Sequence, residues 1–145
     1  MALAGRSQYL GEAVGAANAF EAVIGAYYMV GWAGFLEAAA YANVHGLRPA
    51  ELLSGVDYLT DLLRSSIHEA TEAIERGDYS TDQATVDVFL DAVRSYRAGM
   101  RRAGQHAWLT SALAQSLEQA QAAGRGQDGF HVQFETAATG GKRVG

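Results

Sequence analysis

Residues Ala13 to Asn43 limit what this chain can fold into more than any other stretch. They are helix-compatible almost without interruption, and their middle, Ala22 to Ala42, carries one charged side chain, Glu37. At ~1.5 Å per residue, about thirty residues make a helix roughly 45 Å long. A compact domain of this chain length is roughly 35–40 Å across, so the helix is as long as the globule it belongs to. It is also apolar on nearly every side, and a soluble helix of that kind is a buried one. One chain of 145 residues has too little else to cover it. The simplest cover is a second copy, so the sequence predicts a homodimer in which the two long helices are buried against each other.

A membrane span is the competing use for such a segment, since it meets the length requirement. Glu37 inside the window, the high alanine and glycine content and the absence of flanking Lys or Arg clusters argue against it. Gly25, Gly31 and Gly34 have another use. Each costs up to ~1 kcal/mol in a helix interior, and in return another backbone or a ligand can come close. Composition narrows the class further. The net charge is −5 with eleven Lys and Arg scattered along the chain, which is not a nucleic-acid surface. There is no cysteine, hence no disulfide framework and no thiol chemistry. MALAGRSQYL lacks the apolar run of a secretory signal. A cytoplasmic protein is expected, with no membrane and no nucleic-acid partner. One proline, many alanines and little period-two alternation predict an all-α fold: a long central helix with four or five shorter ones, interlocked in a homodimer.

In chain order, Arg6 to Leu10 reads as a short extended segment, and residues 1–11 as a linker or the last strand of something preceding the chain. The helical domain is expected over 12–138, with a disordered tail over 139–145. The long helix stops near His45-Gly46, with glycine as its cap. Pro49 opens a short helix, PAELL, which Ser54-Gly55 interrupts. The next helix runs from Val56 to Arg76 with an apolar stripe of Leu59, Leu62, Leu63, Ile67, Ala70 and Ile74, closed by Gly77. Ser80 and Gln83 fit a capping box for the helix after it. There Val86, Phe89, Leu90, Val93, Tyr96 and Met100 form the stripe and Gly104 the end. A further helix, Leu109 to Ala123, turns Leu109, Ala112, Leu113, Leu117 and Ala120 inward. A glycine loop spans 124–129, and a last short helix, Phe130 to Ala137, places Phe130 and Phe134 at i and i+4.

Few residues suggest chemistry by spacing. The histidines lie on separate elements; His68 and Glu72, at i and i+4, are half a metal site at most, and no metal is expected. Gly124-x-Gly126-x-x-Gly129 spells a dinucleotide fingerprint, but it follows a helix and no βαβ unit surrounds it, so it is rejected as one. The informative set is on the long helix. Glu21, Gly25, Tyr28, Trp32 and Phe35 step by four, three, four and three, and share one face. A carboxylate, a gap at glycine and three aromatics describe a lined pocket. The same pattern also describes an aromatic core stripe with Glu21 at its exposed end.

These residues carry a resemblance. Tyr9-Leu10-Gly11-Glu12, Gly15, Phe20-Glu21 and Gly34-Phe35-Leu36 resemble, in order and spacing, the interdomain helix of the bacterial NADPH-dependent imine reductases, relatives of the β-hydroxyacid dehydrogenases. Gly77-Asp78-Tyr79-Ser80, Ala84-Thr85-Val86 and the 124–130 segment resemble downstream motifs of that family. The resemblance covers about Gly5 to Ala138. It implies a C-terminal helical domain, like that of 6-phosphogluconate dehydrogenase, that interlocks with a second copy. It further implies an active site between this domain of one subunit and the nucleotide-binding domain of the other. Glu21 would hold the place of an acid that protonates the imine or anchors the amine, though the family usually has aspartate or tyrosine there. Tyr28 would join it as the second catalytic candidate. Gly25, Met29 and Trp32, with Tyr58, Val88 and Phe89 further on, would line the pocket for a small amine, imine or other apolar ligand.

The family's chains begin with a dinucleotide-binding fold that does not appear in this sequence. On that ground the chain alone is expected to bind no cofactor, and NADPH only if such a domain precedes it. Three readings follow: a reductase fragment, a stand-alone enzyme using the dimer pocket for cofactor-free cyclisation or imine rearrangement in small-molecule biosynthesis, and a non-catalytic dimerisation or binding module.

Overall fold

The structure, a computed structural model, describes residues 16–139. It is helical, as expected, and among the described residues the only β feature is an isolated bridge between Thr85 and Gly129. Five α-helices follow one another: α1 Ala16–Val44, α2 Leu53–Arg76, α3 Val86–Arg102, α4 Trp108–Ala122 and α5 Gln133–Thr139. Short 3-10 turns at Pro49–Leu52 and Phe130–Val132 lead into α2 and α5. The extended segment expected at Arg6 to Leu10 and the tail beyond Thr139 lie outside the described residues; Thr139 itself closes α5.

The helix ends are where sequence and structure agree best. Gly46, Gly77, Gly104 and Gly124 all take positive φ, a region an L side chain enters only at a cost of ~1–2 kcal/mol. At each, the glycine N–H and the one after it donate back to carbonyls of the last helical turn, as in Gly77 N to Ile74 O at 3.2 Å and Asp78 N to Ala73 O at 3.1 Å. This doubly bonded glycine cap satisfies carbonyls that the helix leaves orphaned.

The helix starts depart further from expectation. Ser54 and Gly55 do not interrupt anything: α2 begins at Leu53 and runs through both. PAEL is a 3-10 turn, held where the Arg48 N–H and guanidinium donate to Glu51. The capping box read at Ser80 is not used. Thr85 caps α3, its hydroxyl accepting from the Val88 N–H, while the Ser80 N–H donates to Asp78 and the Gln83 N–H to Thr81. These short local bonds turn the chain between α2 and α3 and delay the helix by several residues.

The chain divides within α1, between Leu36 and Glu37, into two units. The second unit holds the core: Ala73, Tyr79, Val86, Leu90, Val93, Ala114, Leu117, Ala120 and Val132, with Ile74 and Phe89 packed on it. Fully burying a side chain such as Leu90 or Leu117 is worth about 1.5–3 kcal/mol. Tyr96 was expected in the α3 stripe but is exposed, as are Ala112 and Leu113 on α4, where Ala114 takes the inward place. Leu117 and Ala120 are buried as expected, so the face of α4 is turned only toward Ala114, whose small side chain lets α3 come close. Phe130 and Phe134 are also exposed, and Val132 is buried instead.

Two features of this unit bear on function. The 124–129 loop is a structural knot. Asp87 at the start of α3 accepts from Gln121 and Gln127, its N–H donates to Gly126 O at 3.0 Å, and the Gly129 N–H donates to Tyr79 O at 2.8 Å. A Cβ on Gly126 would stand 2.5 Å from the Asp87 carboxylate. Arg125 pairs with Asp128 and Glu135 and lies over the Tyr79 ring, 5.5 Å from its centroid. The second feature is α2. Its last turns join the core through Ala73 and Ile74, but upstream Leu59, Leu62, Leu63 and Ile67 are 57, 50, 48 and 40% exposed. The predicted stripe is there, and no described part of this chain covers it.

Candidate functional site

The first unit is the N-terminal part of α1. Its helical geometry puts Glu21, Gly25, Tyr28, Trp32 and Phe35 within about 40° of one line along the helix, at about 100° per residue. Tyr28 and Trp32 meet there, ring centroids 5.9 Å apart and tilted by 40°. Such a pair is worth roughly 0.5–1.5 kcal/mol beyond its area. Glu21, Tyr28, Met29 and Trp32 are all exposed. Nothing lies within 4 Å of where a Cβ would stand on Gly25, Gly31 or Gly34. These glycines therefore serve no packing within the described chain, and the space beside them is open to a ligand or another backbone.

The remaining predicted lining residues belong to the second unit. Tyr58 on α2 and Val88 on α3 are exposed. Phe89 is half-buried and packs edge-on against Phe130, centroids 5.0 Å apart. It forms part of the floor of an open groove of about 630 Å³, together with Ala70, Ala73 and Phe130, under a rim that includes Glu69 and Asp82. Tyr58 and Val88 are not among its lining residues.

Glu37 is the polar residue whose part the sequence did not reveal. It lies in the second unit, and its carboxylate accepts from the backbone N–H of Leu109 at 3.0 Å, the N–H of Thr110 at 2.9 Å and the Thr110 hydroxyl at 2.7 Å. These N–H groups open α4, whose own N-cap is Ala107, a residue with no side-chain acceptor and a left-handed backbone at φ 51°. A carboxylate from α1 thus replaces the missing local cap. Burial works to raise its pKa, but the Thr110 hydroxyl and the backbone donors of α4 outweigh that and hold it below the usual carboxylate value. The clue in the sequence was a lone acid in an apolar helix with no nearby base; its partner lies more than seventy residues away, beyond any periodicity.

The described residues form no parallel sheet, which a dinucleotide fold requires. In the G-x-G-x-x-G loop, Asp87 sits against Gly126 and the Gly129 N–H is already given to Tyr79. A pyrophosphate there would meet a carboxylate, so this loop does not fit NADPH.

A helical half-domain with one long apolar helix and an open aromatic face is the class these features define. Residues 14–139 match the family model described as NADPH-dependent reductive aminase-like, C-terminal domain, and the chain belongs to that family. Among solved structures it is similar to an imine reductase from Pseudomonas sp., at 27% identity and a TM-score of 0.87, over 93% of this chain and 47% of that one. A reductive aminase from Aspergillus terreus, solved with NADPH and ethyl levulinate, shares the fold at 22% identity and a TM-score of 0.83, over 90% and 46% of the two chains. So does an imine reductase from Myxococcus stipitatus in complex with NADP+, at 18% identity and a TM-score of 0.82, over 88% and 48%. No curated protein sequence matches the chain. The chain spans about half the length of the solved relatives it matches. By length and composition alone, the α1 segment Ala19–Val44 would pass for a membrane span. The Pseudomonas likeness leaves so little of the chain uncovered that most of α1 must be part of the shared fold.

Proposed function

We propose that this chain is the substrate-facing, dimer-forming helical part of a soluble, cytoplasmic NADPH-dependent imine reductase or reductive aminase. The observation that carries the reading is the open face of α1, with a carboxylate, a tyrosine–tryptophan pair and unfilled glycine gaps, in a chain of this family. Apolar aromatic walls with one acid suit a small apolar amine or imine, which is cationic near neutral pH. Glu21 is the polar group that would hold or protonate its nitrogen, and Tyr28 stands one helical turn beyond Gly25 to share that work. Met29, Trp32, Tyr58, Val88 and Phe89 supply apolar lining, with a second copy bringing some of the walls. The hydride donor in this reading is NADPH held outside these helices.

The test is direct. Cyclohexylamine is titrated into the protein while tryptophan fluorescence is followed, in the original chain and in Glu21→Gln. Affinity is expected to fall at least tenfold, ~1.4 kcal/mol, with the association state unchanged. Equal affinity in the two proteins would remove Glu21 from the site.

A further inference from the structure

We infer that the groove between the C-terminal half of α2 and the start of α3 is a binding site of its own, and that it takes an aliphatic diamine or polyamine. The inference goes beyond the role proposed for the α1 face. Every residue of the groove belongs to the second unit, and only Phe89 is shared with the lining proposed above.

Small residues make the room and aromatic ones the floor. Ser66, Ala70 and Ala73 step by four and three along α2, so they share one face, and none of them fills the space beside it. Phe89 and Phe130 add the aromatic surface, meeting edge-on with centroids 5.0 Å apart. Phe130 is 39% exposed, although Val132, two residues on, is buried. The turn between α2 and α3 borders the groove. It is held by its own short bonds, Ser80 N–H to Asp78 and Gln83 N–H to Thr81. The volume, about 630 Å³, is within the ~300–1,000 Å³ of small-molecule sites.

Charge selects the ligand. Four carboxylates border the groove, those of Glu69, Glu72, Asp78 and Asp82, against one guanidinium, that of Arg76. Two of the four are engaged. Glu72 pairs with Arg76 at 3.4 Å, and Asp78 accepts from the Ser80 N–H at 3.0 Å. That bond holds Asp78 below the usual carboxylate value. Glu69 and Asp82 make no hydrogen bond or ion pair among the described residues. His131 lines the groove as well, and its Nε2 is buried without a hydrogen-bond partner among the described residues, a deficit folded proteins rarely keep. The two unengaged acids come from different elements, Glu69 from α2 and Asp82 from the turn. An apolar surface thus shares a groove with two separate anionic ends. A methylene chain packs on such a surface while its ammonium heads reach for the acids. Each ammonium offers three donors and no acceptor, which suits carboxylates. An anionic ligand would meet like charge on every side of the rim.

The test compares 1,5-diaminopentane with pentylamine, which has the same stem and one charge. Both are titrated into the full chain while the alanine methyl signals are followed by NMR. The diamine should shift Ala70, Ala73 and Ala84 saturably. It should bind about fivefold tighter than pentylamine or better, the scale of one exposed ion pair. Glu69→Gln and Asp82→Asn should each bring the diamine down to the affinity of pentylamine. Both acids are exposed, so neither change should lower the thermal midpoint. Added salt should weaken the diamine more than the monoamine. Ala70→Leu, which fills part of the groove, should weaken both ligands and leave the association state unchanged. The inference is overturned if the diamine leaves these three methyls unmoved, if pentylamine binds as tightly, or if neither acid variant changes the affinity. It is equally overturned if Ala70→Leu splits an assembly, since a second copy then fills the groove. The readout is local to the second unit, so it judges this groove even where Glu21→Gln shows the α1 reading to be wrong.

Discussion

At the scale of single residues, Glu37 makes the sharpest claim on stability. Removing a helix cap costs about 0.5–2 kcal/mol, and Glu37→Ala should fall in that range by urea unfolding at neutral pH. The pH dependence follows from its depressed pKa. A carboxyl that is more acidic folded than unfolded adds stability that is fully present above its unfolded value, near 4.5, and is lost as pH falls through the folded value. Glu37→Gln should therefore flatten the stability curve below pH 4.5 and leave its shape above that unchanged. An acid limb identical in the two proteins would mean the α4 donors do not favour the charged form. Gly126 makes a second residue-scale claim. A methyl there meets the Asp87 carboxylate at 2.5 Å, so Gly126→Ala must displace Asp87 from Gln121 and Gln127. Overpacking of this kind costs about 1–3 kcal/mol, readable as a lowered thermal midpoint.

At the scale of elements, what the sequence revealed depended on how local the physics is. Helix ends were legible because glycine is read by its own backbone: Gly46, Gly77 and Gly104 close their helices where expected. Helix starts were legible only in part. A capping motif at Ser80 and Gln83 competes with the turn chemistry of Asp78 and Thr81, and Thr85 wins because it is the residue next to the apolar run of α3. On α4, Leu117 and Ala120 are inward as the spacing predicts, but Ala114 takes the place expected of Ala112 and Leu113, its small side chain suiting close packing on α3. On α1, spacing places Tyr28 and Trp32 on one face, and their rings do meet. Glu37's link to Thr110 was not legible, since nothing periodic joins positions so far apart. The element-scale prediction concerns the core made by α3 and α4. Leu117→Ala removes a fully buried side chain and should cost about 2–5 kcal/mol, measured by denaturant midpoint at constant slope.

At the scale of the whole molecule, the open stripe on α2 bears on the proposed homodimer. Leu59, Leu62, Leu63 and Ile67 share one helical face and are each 40% exposed or more. On α1, Val23, Ile24, Tyr27, Tyr28, Met29, Val30 and Trp32 are exposed as well. Soluble monomers rarely leave contiguous apolar patches beyond a few hundred Å² uncovered. We propose that a second copy, pairing about a two-fold axis, covers these faces. The expected interface is of the obligate kind, above ~2,000 Å², so association and folding should be inseparable. Light scattering after size exclusion should give about twice the chain mass at micromolar concentration, and the thermal midpoint should rise with protein concentration. Leu63→Glu tests the surface itself. On the exposed stripe of a free monomer a glutamate costs little, because it remains in water. In a buried interface it places an unpaired charge among apolar side chains, which costs several kcal/mol. Leu63→Glu should therefore abolish the dimer or leave the chain unfolded, whereas Glu72→Gln, on the polar side of the same helix, should change neither. A dimer of full stability carrying Leu63→Glu would mean the stripe is not the contact surface.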